Sequence, residues 1–326
     1  MADYKGIKGF KVQVLDSDPP SPIAGQVFYN STTQTLKGIR AGVAADGTWA
    51  SGGNLNTPRG GHGALGIQTA SLAVSGFDGD ADAMTVNNEE YNGSSWTEVA
   101  NVNTGRRGQG ACGTTEAGLI FGAVEGTTAV AITEIWDGSS WTEVGDINTA
   151  RGNGGASGAA PSTSTLFAAG STAPGTHKNE TEIWNGSSWT EVNNVNTARR
   201  SCGSFGIVTA AVIAGGSPPG ILVELWNGTS WTEIAELNTA VQECAGAGIS
   251  TLGLVTGGSP GVARTEAWNG TAWSEVADLA VGRNQVEGSG TATAGLVSGG
   301  EGPAAGRNDT EEWTVPNGVA VTFDVS

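Results

Sequence analysis

Six short apolar runs, each closed by glycine, recur along the chain: SLAVSG from Ser71, GLIFG from Gly118, TLFAAG from Thr165, AAVIAGG from Ala210, LGLVTGG from Leu252 and AGLVSGG from Ala294. No segment carries a 3.6-residue apolar period long enough for a helix, so these runs read as buried strands. Ahead of them lie stretches of small residues, such as GGHGALGI from Gly60 and SCGSFGIV from Ser201. A variable Gly/Pro/Ser loop follows each run. Two further strands then flank Asn-Gly or Asp-Gly, which predicts a type I′ turn with φ > 0 at both central residues. Each unit therefore reads as four short strands.

The second half of the unit aligns without gaps: EEYNGSSWTEV from Glu89, TEIWDGSSWTEV from Thr133, TEIWNGSSWTEV from Thr181, VELWNGTSWTEI from Val223 and TEAWNGTAWSEV from Thr265. A sixth copy starts as TEEW at Thr310 and stops; its missing half stands near the other end, as DGTWAS around Trp49. Ten residues beyond Trp49, Trp96, Trp141, Trp189 and Trp273 come Arg59, Arg106, Arg151, Arg199 and Arg283, usually after Asn-Thr. Trp231 is followed by Val241 instead. Units starting at residues 59, 106, 151, 199, 241 and 283 are 42 to 48 residues apart. Strand-rich repeats of that length indicate propeller blades.

The order Arg, glycine pair, aromatic, Trp resembles the kelch repeat over residues 45–314. The glycine pair is intact at Gly215-Gly216, Gly257-Gly258 and Gly299-Gly300, and single at Gly76, Gly122 and Gly170. The resemblance implies an all-β, six-bladed kelch-like β-propeller. A ring must close or expose a sheet edge, so the strand carrying Trp49 is expected to complete blade six. The Trp and Arg sets are expected to be structural, the arginines tying strands and blades together rather than forming an anion ring.

Glycine, 53 of 326 residues, has no G-X-Y period, which excludes collagen. The net charge of −17 opposes nucleic acid and anionic membranes. No stretch is apolar enough for a membrane helix, and the N-terminus lacks a signal-peptide core. Three scattered cysteines give no disulfide framework.

Candidate chemistry is sparse. Two His and three Tyr, with Tyr4 and Tyr29 outside the repeats, do not supply a copper-oxidase ligand set. A sialidase-like site lacks a free tyrosine, since Tyr91 holds a repeat position. Glu134, Glu182, Glu224 and Glu266 precede the aromatic, and Glu98, Glu143, Glu191, Glu233 and Glu275 follow the Trp, so both sets read as blade-stabilising or solvated. Three residues past each landmark lie His62, Gln109, Gly154, Cys202, Cys244 and Val286, expected at one level near the axis. His62, Cys202 and Cys244 are weak zinc candidates there; filling of a narrow channel is the favoured reading. No catalytic residue, cofactor or metal is assigned. The Asn-Gly-Ser/Thr triplets at Asn92, Asn185, Asn227 and Asn269 are explained by hairpin turns.

Residues 1–44 stand outside the repeat. GQVFYN and TLKGI, separated by STTQ, predict a hairpin with Phe28 and Tyr29 at its heart. KGIKGFKVQ followed by GQVFYNSTTQTLK is similar to the N-terminal region of virion proteins of marine tailed phages. That resemblance implies a non-enzymatic particle component, on tail or head, assembled in the host cytoplasm and present in several copies. Lys8, Phe10, Phe28 and Tyr29 are its candidate docking residues toward other virion proteins. The variable loops would face a host surface glycan or protein. A cellular kelch-type interaction scaffold and a glycan-binding or glycan-cleaving propeller are the alternatives. Residues 315–326 read as one more strand, without an identifiable partner.

Overall fold

The computed structural model describes residues 12–173, 176–218, 220–302 and 307–323. The fold is all-β, and the chain divides into two compact units, Thr48–Thr314 and Met1–Gly47 with Val315–Ser326.

In the smaller unit, Val27–Asn30 and Thr35–Arg40 form the expected hairpin, with Tyr29 opposite Leu36. Gln13–Leu15 runs parallel to its first strand, and Val319–Thr322 pairs antiparallel with its second. The C-terminal strand thus belongs with the N-terminal hairpin rather than forming a separate tail. The unit also extends past residue 44. A 3-10 turn at Ala44–Asp46 is anchored by the Asp46 carboxylate, which accepts the Val43 N–H at 2.8 Å and both Arg40 guanidinium nitrogens at 2.5 Å.

The larger unit consists of four-stranded antiparallel sheets, as in a β-propeller-like fold. Six occur among its described residues. The first comprises Gly63–Ile67, Ala70–Val74, Asn88–Tyr91 and Trp96–Val99 in that spatial order. In the next four sheets the first strands are Gly110–Thr114, Gly155–Ala156, Gly203–Ile207 and Ala245–Ile249. The sixth takes three strands from one part of the chain, Glu287–Gly290, Ala294–Ser298 and Thr310–Thr314, and its fourth from Thr48–Ser51. There Trp49 sits opposite Trp313, as Trp141 sits opposite Trp136 and Trp189 opposite Trp184.

The apolar runs are the second strands, and their Leu, Val and Ile side chains are buried on both faces because sheet packs on sheet. Leu166 from the third sheet, for example, shares a cluster with Ile213, Trp226 and Trp231 from the fourth. Each first strand lies beside those of the preceding and following sheets, and that of the sixth lies beside that of the first.

A second tie between sheets is polar. The outer-strand indoles of Trp49, Trp96, Trp189 and Trp231 donate to Thr265, Thr310, Thr133 and Thr181 Oγ1 at 2.9–3.1 Å, each threonine lying on the third strand of the preceding sheet, three residues before its aromatic. Two sheets break the rule at the threonine. Val223 offers no oxygen, and Trp273 turns to the Ala235 carbonyl at 3.0 Å. Asn88 replaces the other, and both Trp141 Nε1 and Asn88 Oδ1 are left without a partner.

Two local expectations change. The Asn-Gly turns are four-residue loops in which only the glycine has positive φ, as at Gly93 (89°) and Gly186 (95°). The Asn or Asp side chain supplies the rest: Asn92 Oδ1 accepts the Ser94 and Ser95 amides at 3.0 Å. Such an Asx cap lets the asparagine keep negative φ. The variable loops are also less irregular than their composition suggests. Phe77–Asp78 pairs with Ala83–Met84, Ser171–Ala173 with Thr176–His177, and Ala117–Glu125 with Thr128–Trp136 in one long hairpin.

Candidate functional site

The landmark arginines are fully buried. Each is paired with the glutamate that precedes the aromatic: Arg59 with Glu89, Arg151 with Glu182, Arg106 with Glu134 at 2.5 Å, Arg199 with Glu224 at 2.9 Å, and Arg283 with Glu311 at 3.2 Å. Asn-Thr donors surround most of these carboxylates, while Glu311 takes the Ala280 N–H at 2.8 Å instead. Asn148 donates through its backbone and side-chain nitrogens to Glu182 Oε2, both at 2.7 Å, and Thr149 N–H reaches Oε1 at 3.3 Å. Burial pulls the Arg59 and Arg283 guanidinium groups below their usual range, against the opposing pull of Glu89 and Glu311. The five cations are enclosed and ion-paired, so they read as structural, although Arg106, Arg199 and Arg283 each keep buried guanidinium nitrogens without a hydrogen-bond partner. The glutamates after the Trp, such as Glu98 and Glu191, are exposed.

The first strands enclose a cavity of about 100 Å³, lined largely by glycine and alanine. Gln109, Gly154, Cys202 and Cys244 reach it; His62 and Val286 do not. His62 is fully buried and turned toward the sixth sheet, with Nε2 3.0 Å from Ser298 Oγ. Burial, then the Arg59 charge, depresses it to about 3, so it is neutral. Cys202 packs in the cluster of the third and fourth sheets and Cys244 in that of the fourth and fifth, and burial pushes both thiols up. The three zinc candidates therefore do not converge, and no group of three metal-capable side chains stands together among the described residues.

One side chain in this cavity breaks the repeat. The first strands begin with Gly63, Gly110, Gly155, Gly203 and Ala245, but the sixth begins with Glu287. Glu287 lines the cavity, and burial alone raises its carboxyl to about 8.

At the end of the cavity where the first strands start, six backbone hydrogen bonds form a closed cycle. Gly108 donates to Gly61, Asn153 to Gly108, Ser201 to Asn153, Glu243 to Ser201, Gln285 to Glu243, and Gly61 to Gln285, at 2.6–2.9 Å. Each residue lies two positions past a landmark, and all six have φ between 50° and 64°. Ser201, Glu243 and Gln285 bear a cost for that conformation which glycine would not, of roughly 1–2 kcal/mol each. The cycle holds them in it and fixes their side chains around the opening. Sequence reading missed this ring; glycine or asparagine at three of the six positions was the available signal.

Beside the ring opens a cleft of about 210 Å³ lined by Arg107 and Arg200, together with Asn153, Ser201, Glu243 and Gln285. Both arginines directly follow a buried landmark arginine. Arg107 lies over the Phe77 ring at 5.0 Å and is 3.9 Å from Glu301. Arg200 makes no ion pair among the described residues, and its Nε is buried without a partner. The variable loops leave the sheets at this same end.

Of the candidate docking residues, Lys8 and Phe10 lie outside the described residues. Phe28 is fully buried, so it is a core side chain rather than a contact surface. Tyr29, half-buried, pairs with Val14 and Leu36 on neighbouring strands. No protein-family model matches the chain, and no curated protein matches it.

Proposed function

We propose that Thr48–Thr314 is a closed six-bladed kelch-like propeller and that the chain is a non-enzymatic virion surface protein, docked through its smaller unit and displaying the propeller outward. Three observations support the closed ring: the Trp49–Trp313 pairing inside the sixth sheet, the adjacency of the sixth and first inner strands, and the cycle of six hydrogen bonds. The reading of function rests chiefly on the division of labour between the units. The segment that resembles phage virion proteins folds with the C-terminal strand into a unit separate from the repeat. The repeat carries dissimilar loops on one end of a rigid scaffold, where binding residues concentrate. The non-enzyme reading is supported by the pairing of the five repeated arginines, each held by a buried Glu. It is a proposal about the whole chain.

Incorporation into particles tests it. A deletion ending before Ala44 keeps the Trp49 strand and is expected to abolish incorporation while the repeat unit melts cooperatively. Normal incorporation of that variant would defeat the anchor. Turnover of a polysaccharide by the purified full-length chain would defeat the non-enzymatic reading.

A further inference from the structure

The repeat unit contains nine arginines and one lysine, Lys178. Five arginines are the buried landmarks. Each of the other five cations lies at the end of the sheets that carries the variable loops. The opposite end, with the Asx-capped turns, has no Lys or Arg. Lys178 and Arg307 are committed to Glu180 and Asp309 at 2.7 Å, and Arg264 approaches Glu275 at 4.0 Å. Arg200 has no ion pair among the described residues; it lines one cleft at the mouth of the central cavity with Arg107, whose contact with Glu301 is long, at 3.9 Å.

The geometry points to this cleft as a binding site for an acidic sugar, its carboxylate held by Arg107 and Arg200 and its hydroxyls by the surrounding polar side chains. The guanidinium fork matches a carboxylate, and the buried, unpartnered Nε of Arg200 is a donor in want of an acceptor. The acidic neighbours narrow the class. Glu243 lines the cleft, holding one hydrogen bond from Asn284 Nδ2 at 2.9 Å, and Glu301 stands beside Arg107. Two cations offset by two carboxylates do not suit a multiply charged phosphate. They suit a monoanion that also brings O–H donors, since a carboxylate accepts hydrogen bonds and donates none. Asn153, Ser201 and Gln285, locked by the backbone cycle, add amide and hydroxyl partners. The volume, about 210 Å³, is below the usual ~300–1,000 Å³ of a drug-sized pocket and fits one sugar unit rather than a long segment. The proposal goes beyond the display reading and does not require it.

The test is saturation-transfer NMR on the full-length chain with glucuronic acid, glucose as the neutral control, and a short poly-glutamate peptide as competitor. Glucuronic acid is expected to bind at least ten times more tightly than glucose. Arg200→Gln and Arg107→Gln should each weaken it about tenfold, with the thermal melt unchanged because neither side chain supports the core. Equal binding of glucose, retained binding in the double variant, or preferential capture of the peptide would overturn the site. The double variant is expected to enter particles normally, so failure of the sugar site leaves a separate signature from failure of the anchor.

Discussion

The third and fifth sheets are built to one plan but differ at the landmark position, where one has a buried arginine and the other a valine. In the third, Arg151 closes on Glu182 beneath the Asn148-Thr149 donors. In the fifth, Val241 stands where the arginine belongs, yet Glu266 stays buried and takes the same bonds from Asn238 and Thr239, at 2.7–3.0 Å. The carboxylate is therefore positioned by amide donors, and the cation is an addition that matters once it is there. Val241, half-buried, packs against the fourth-to-fifth core instead. Positions that keep the repeat are structural, and departures from it mark where a sheet does something of its own.

The largest effect that can break this comparison comes from unpairing the third sheet. Arg151→Ala orphans the Glu182 carboxylate and is expected to cost 3–5 kcal/mol, roughly the penalty for breaking a buried pair. Glu266→Gln should cost only about 1 kcal/mol, since no cation is orphaned. Urea unfolding of both variants checks the ratio; equal costs would mean that the arginine contributes nothing beyond the amide donors. Next in size is Trp49→Ala. Trp49 packs against Trp313 with ring centroids 5.3 Å apart and bonds Thr265 of the fifth sheet. Its loss should cost about 3 kcal/mol, the low end for a large aromatic because it is partly exposed. A melt identical to wild type would remove the closed-ring reading.

The sheets were legible in the sequence because each carries its own local signals. The Trp register, the glycine-terminated runs and the split sixth repeat all follow from short-range pattern. The Arg–Glu pairs were visible only as two separate series, because the partners are 25 to 31 residues apart and nothing local connects them. The strand Val319–Thr322 was seen without its partner Thr35–Arg40 for the same reason. The ring of positive-φ residues was masked by Ser201, Glu243 and Gln285, which propensity does not place there. Arg107 and Arg200 recur in only two of the six units, so the repeat does not single them out.

Glu287 sharpens the contrast between kept and broken positions through pH. Its carboxyl titrates near 8 in the folded chain, above its ordinary value of 4.5, so folding favours the protonated form. Stability from this site is complete below pH 4.5 and falls as pH rises toward 8, where the native state must carry a desolvated charge. Glu287→Gln should match wild type at pH 4 and exceed it by roughly 2 kcal/mol above pH 8, less than half of what so large a rise would give in full, because Glu287 is only half-buried and water screens its charge. A constant difference across that range in urea unfolding would show that the carboxyl does not titrate in the cavity.

The smallest effect concerns the orphaned pair between the first two sheets. Four other indoles donate to a threonine on the neighbouring third strand, and Trp141 faces Asn88 with no bond. Asn88→Thr places a hydroxyl where the other sheets have one and removes the unpartnered amide oxygen. The sacrifice is one long contact, Asn88 Nδ2 to the Ala100 carbonyl at 3.4 Å. A gain of about 1 kcal/mol is expected, the net worth of one buried hydrogen bond. The indole N–H resonance of Trp141 should gain protection from solvent exchange in the same variant. A loss of stability, or no change in protection, would mean that Asn88 is matched to this junction in a way the threonine rule does not describe, and that the departure is an adaptation of the first sheet.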